Sequence, residues 1–109
     1  DNLATYANKI DKIEAKINWQ DNAQLINQKI RAFNPNPGAW FEMDGKRIKV
    51  MSSKVIDIDG NPGEILNDEF VIGCGQQALQ PLTLKKEGKG LVTLTEFLKG
   101  NKVNVGTKL

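Results

Sequence analysis

Asn34-Pro35-Asn36-Pro37-Gly38 divides this chain into two stretches of different periodicity and limits its fold more than any other feature. Each proline lacks a backbone donor, fixes φ, and disfavours helix in the residue before it. A helix arriving from the N-terminal side must stop near Phe33, and the chain beyond the break starts from a turned or extended backbone.

Upstream of the break the period is helical. Ala23, Ile26, Ile30 and Phe33 fall on one face, and Asp21 with Gln24 three residues on reads as a capping box, so the spacing predicts a helix over Asp21–Phe33. Ile10, Ile13 and Ile17 recur at i, i+3 and i+7 and predict a short helical tether within residues 1–20. Lys9, Lys12 and Lys16 share that spacing on a neighbouring side. The stripe reads either as a solvated face or as a basic rail beside a binding site.

Downstream the period is two. Ala39–Met43 and Lys46–Val50 flank Asp44-Gly45, a pair suited to the positive φ angles of a type I′ hairpin turn. Ile48 and Val50 then point inward, and Arg47 and Lys49 outward. Further strands are expected at Val55–Ile58, Glu64–Leu66, Phe70–Cys74, around Leu79, Leu82 and Leu84, and at Val103–Val105. Pro81 argues for an edge or a bulge in its strand. Thr93-Leu94-Thr95-Glu96 is a second capping box, opening a short helix that Gly100 closes. About six short strands with frequent turns indicate a mainly β fold: a small closed or partly closed β-barrel with an N-terminal helical tether, one capped helix before the barrel and a short helix near the C-terminus. The 109 residues fit one domain, 21–109, with 1–20 as a tether. The chain begins at Asp1 without methionine, which suggests a processed chain or an excised piece.

Histidine is absent, which removes imidazole bases and Ser-His-Asp or Cys-His nucleophiles. One cysteine and no histidine leave no ordinary zinc site and no internal disulfide, and a reducing cytosol is the simplest compartment. No run of 18 apolar residues offers a membrane span. Gly73-Cys74-Gly75 lacks the third glycine of a nucleotide fingerprint, so it reads as a bulge or tight corner around a buried, inert thiol. Trp19, Trp40 and Phe41 adjoin the helix and first strand and read as core or hinge packing ahead of a base-stacking platform. Lys85, Lys86 and Lys89 crowd one turn with Glu87 alone to offset them, and Arg47 and Lys49 on the outer strand face would extend that patch. The net charge of +2 does not by itself mark a nucleic-acid binder, because binding needs basic groups gathered on one face.

The run Ile30-Arg31-Ala32-Phe33-Asn34-Pro35-Asn36-Pro37-Gly38-Ala39-Trp40 closely resembles the helix-to-strand junction of the methionyl-tRNA formyltransferase C-terminal domain. Thr5-Tyr6-Ala7 with Lys9 and Ile17-Asn18-Trp19 is similar to that family's interdomain linker. Pro62–Ile65 and Val71–Gly75 resemble its central strands, and Glu87-Gly88-Lys89 with Glu96–Gly100 its closing turn and helix. Asn36 departs from the tryptophan common between the two prolines. The resemblance implies an OB-like domain following a Rossmann-type catalytic domain, which would bind 10-formyltetrahydrofolate and formylate the methionine of initiator methionyl-tRNA. No catalytic residue of that domain maps onto this chain. The resemblance makes Lys9, Lys12, Lys85, Lys86 and Lys89 candidate contacts to the tRNA acceptor arm, beside Lys16, Arg47 and Lys49, in a cytoplasmic monomer. Two alternatives stand beside it. One is a purely structural brace for the catalytic domain. The other is the same domain type from a formyltetrahydrofolate hydrolase or a nucleotide-sugar formyltransferase.

Overall fold

The computed structural model describes residues 15–35 and 37–109. The expectations that rest on Lys9, Ile10, Lys12, Ile13 and Asn36 lie outside the described residues. The elements run α1 (Ala23–Phe33), β1 (Ala39–Met43), β2 (Lys46–Ile56), β3 (Ile72–Gly73), β4 (Ala78–Lys86), β5 (Leu91–Thr93) and α2 (Leu94–Gly100). The five strands form one antiparallel sheet ordered β1-β2-β4-β3, with β5 also paired to β4. The sheet curls into a half-barrel, with α1 against β1 and β2 and α2 against β4 and β5. Among the described residues no helix is long and apolar enough to cross a membrane.

α1 starts later than the spacing implies. Asn22 is the N-cap, its side chain accepting from Leu25 N at 2.8 Å. Asp21 instead pairs with Lys29 at 3.4 Å. Ala23, Ile26 and Ile30 are buried as the period requires. At the other end Thr93 caps α2 through Glu96 N, and Phe97 inserts into the core.

The hairpin forms in the expected register, with Asp44 and Gly45 at φ 54° and 75° and Phe41 facing Ile48. β2 then continues to Ile56 as one strand, where the spacing predicts two. Register shifts around Ser52 bend it, and there it passes Pro81. Pro81 lies in a central strand, at that irregularity and between the short pairings of β4 with β3 and with β5. The proline thus sits at a bulge, and on the side away from β2 no ladder partner among the described residues faces it, so both readings of Pro81 describe its place.

Three segments differ from the period-two expectation for local reasons. Phe70 adopts φ 64°, so the strand starts only at Ile72, while the Asn67 side chain accepts from Glu69 N and Val71 N. Glu64 and Ile65 make single bridges, to Lys108 and Ile72. Val103 and Val105 form no strand. The chain beyond them is instead tied by Ile65 N to Thr107 O and by Leu109 N to Gly63 O, at 2.9 and 2.7 Å.

Residues 15–20 are not helical. They run beside β1, with Ile17 N donating to Trp40 O at 2.7 Å and Trp40 N to Ala15 O at 3.0 Å. Ala15, Ile17 and Trp19 are buried. Trp19 opens a chain of rings through the core, Trp19–Phe41–Phe70–Phe97, with centroids 5.8, 6.0 and 5.8 Å apart. Gly75 donates its N–H to Asp21 O at 2.9 Å, and a Cβ there would run into the Gln20 carbonyl. The tight corner read from Gly73-Cys74-Gly75 is where the N-terminal segment locks onto the sheet.

Candidate nucleic-acid interface

Alternation along β1, β2 and β4 sorts the side chains onto two faces. Phe41, Ile48, Val50 and Leu84 are buried on the inner one. Trp40, Lys49 and Lys85 lie across three strands on the outer one, since Trp40 faces Lys49 and Lys49 faces Lys85. Arg47, two residues before Lys49, is the diagonal neighbour of Trp40. These residues line an open groove of about 290 Å³, together with Pro37, Lys86, Glu87 and Gly88.

The Arg47 guanidinium lies over the Trp40 ring, 4.3 Å from its centroid, and the Lys16 ammonium sits 5.4 Å from the same ring. Trp40 is only 7% exposed, so its face is not open to a stacking base. Among the described residues Arg47, Lys49 and Lys85 form no salt bridge. Lys16 does, with Glu42 at 3.9 Å. The Glu87 carboxylate accepts from Arg47 N at 3.2 Å, and Glu87 N donates back to Arg47 O at 2.9 Å, so this acid pins the backbone of the turn.

The adjacent lysines of the turn part company. Lys85 is exposed on the outer face. Lys86 is half-buried opposite Ile48, and its Nζ donates to Asn101 Oδ1 at 2.7 Å. Asn101 in turn donates to Phe97 O at the end of α2, so Lys86 ties the strand to the helix. Lys89 is exposed within the turn, its N–H donating to Lys86 O at 2.8 Å, and does not line the groove. Arg47, Lys49 and Lys85 are thus brought together, with Lys86 at the rim. Lys16 joins from the side under a carboxylate, and Lys89 stays apart. Sequence reading missed the stacking of Arg47 on Trp40. The register fixed by Asp44-Gly45 already implied it, because that turn sets Trp40 against Lys49 and makes Arg47 its diagonal neighbour.

Cys74 is buried, and desolvation pushes its thiol from 9.0 up to about 12, as expected of an inert sulfur. Among the described residues no polar or charged side chain is buried, and no three potential metal ligands gather. No described carboxylate therefore sits in the apolar surroundings that tune an acid–base pair.

The family profile described as "Formyl transferase, C-terminal domain" matches residues 9–102. A methionyl-tRNA formyltransferase from Paramagnetospirillum magneticum is 45% identical over 105 residues, covering 96% of this chain and 34% of that protein. The corresponding proteins of Ruegeria pomeroyi and Rickettsia canadensis are 42% and 41% identical, each match again covering 96% of this chain and 35% of the relative. The chain spans about a third of the length of these relatives. Among solved structures, HypX from Aquifex aeolicus in complex with tetrahydrofolic acid superposes with a TM-score of 0.67 at 22% identity, over 93% of this chain and 22% of HypX. That likeness shows the fold.

Proposed function

The chain belongs to the formyl transferase C-terminal domain family, and from that premise we propose that it is the RNA-gripping part of a methionyl-tRNA formyltransferase. In this reading a preceding Rossmann-type catalytic domain of the same cytosolic protein moves a formyl group from 10-formyltetrahydrofolate to the amino group of methionine on initiator tRNA. The present domain holds the acceptor arm while that happens. The formyl donor belongs to the catalytic domain. The groove on this chain is open and rimmed by cations, and it lacks the enclosed set of polar groups a pterin would need.

One observation carries the reading. Among the described residues, three cations that form no salt bridge, Arg47, Lys49 and Lys85, share one face of a curled sheet, with Glu42 facing Arg47 across the ladder. Such groups replace the counterions of an RNA strand and hold its phosphates without reading bases. Their contribution is orientation. A methionylated end held in place reacts as though at raised local concentration.

Three to five contacts of this kind give a log–log salt dependence with a slope of roughly −2 to −4. Titration of tRNA by filter binding across ionic strength checks this, and Lys49→Ala with Lys85→Ala should weaken all tRNAs about equally. Retention that ignores salt would sink the reading. A domain that only braces its catalytic partner would retain no tRNA at any salt concentration.

A further inference from the structure

Resting on the reading of this face as an RNA grip, we propose that the groove is a seat for one backbone phosphate, ligated by Arg47, Lys49 and Lys85, with Trp40 as the positioning residue for Arg47 and with Lys86 outside the ligand set.

Two independent observations lead there. The first is an arrangement that costs stability unless an anion fills it. Lys49 and Lys85 are direct cross-strand partners on the same face. Like charges so placed repel, and neither is offset by a carboxylate among the described residues. The Lys49 stem is guided by Gly38, where a Cβ would stand 3.0 Å from its Cδ. The second observation is the orientation of Arg47. Its backbone is fixed on both sides by Glu87, and its guanidinium lies on the Trp40 ring at 4.3 Å. A guanidinium carries its five N–H donors in one planar fork, which suits a phosphate better than a flexible ammonium does. Two lysines beside that fork supply point charge for the remaining oxygens.

Lys86 differs from Lys85 although it is next in sequence. Its ammonium is held by Asn101 Oδ1, at the C-terminal end of α2. It belongs to the frame that holds the turn against the helix. The aromatics also limit the ligand. Trp19, Trp40, Phe41, Phe70 and Phe97 are all buried, so the seat grips the backbone and offers no stacking face to bases.

The test reads intrinsic tryptophan fluorescence and affinity together, in the full chain titrated with a 12-base-pair RNA duplex at fixed salt. Occupancy of the seat moves Arg47 relative to Trp40, so emission changes on binding, and Trp40→Phe loses that signal while keeping most of the affinity. Arg47→Ala weakens binding roughly tenfold, the size of a charge-assisted hydrogen bond. Trp40→Leu weakens it similarly, yet adds less than twofold in the Arg47→Ala background. Lys85→Ala weakens binding, whereas Lys86→Ala, once shown folded by circular dichroism, changes affinity by less than twofold. Additive losses from Trp40→Leu and Arg47→Ala would overturn the positioning role. Equal losses from Lys85→Ala and Lys86→Ala would overturn the ligand set. Inorganic phosphate at matched ionic strength should displace the duplex better than chloride does, and displacement equal to that by chloride would overturn a seat shaped for phosphate oxygens. Failure of the unmodified chain to bind the duplex at all would remove the RNA reading and the seat with it.

Discussion

The region built by β1, β2 and β4 and the region built by residues 61–75 with 105–109 solve the same problem by different means. In the first, strict alternation puts Phe41, Ile48, Val50 and Leu84 in the core and leaves Lys49 and Lys85 outside. In the second there is little regular strand. Order comes from scattered backbone bonds such as Gly63 N to Gly73 O at 2.8 Å, and from glycines that let two backbones touch. A ladder leaves one whole face free, whereas a patchwork uses its residues to hold itself together. Basic groups can crowd the ladder's outer face because its stability comes from the inner one.

Substitutions in either region put this contrast to a measurement. Phe41→Ala, in the middle of the ring chain, should cost the most, about 3–5 kcal/mol by urea denaturation. Gly75→Ala should cost about 1–3 kcal/mol without touching the sheet, because the added methyl meets the Gln20 carbonyl. A null effect there would mean the patchwork is looser than its backbone bonds imply. Cys74, in the same region, should resist thiol reagents at pH 8 in the folded chain and react on unfolding. Its folded pKa, about 12, lies above the ordinary 9.0, so its stabilising effect is complete below pH 9 and fades as pH rises toward 12. A thiol that reacted in the folded chain at pH 8 as fast as in the unfolded chain would contradict its burial. Asn22→Ala should cost about 1 kcal/mol through the lost cap. The smallest change in stability is expected from Lys85→Gln, a gain of about 0.2–1 kcal/mol from relief of the Lys49 repulsion. Its RNA affinity should fall at the same time, and a parallel fall in both properties would argue against a functional face.

The ladder was legible in the sequence and the patchwork was not. Asp44-Gly45 dictated a turn type and through it a register, and the apolar positions of α1 admitted one buried face. The proline break placed the junction correctly. Period two misled at Phe70, where a positive φ turns an apolar residue into the core from a loop, and at Val103 and Val105, which lie in no strand. Helical spacing misled at Ile17, whose burial comes from pairing beside β1. In each case the apolar residue is accounted for by a distant partner that local periodicity does not encode. The candidate site divided in the same way. Arg47, Lys49 and Lys85 follow from register, whereas the inward turn of Lys86 depends on Asn101, which nothing near it in the chain announces.

Two variants of equal net charge, compared in one salt titration with tRNA, separate the position of charge on this fold from its amount. Lys49→Glu with Lys85→Glu reverses the groove, and Lys54→Glu with Lys108→Glu reverses exposed lysines outside it. The expected result is loss of binding in the first variant, with the second keeping affinity within a few-fold and a similar salt slope. Equal losses in the two would contradict the account.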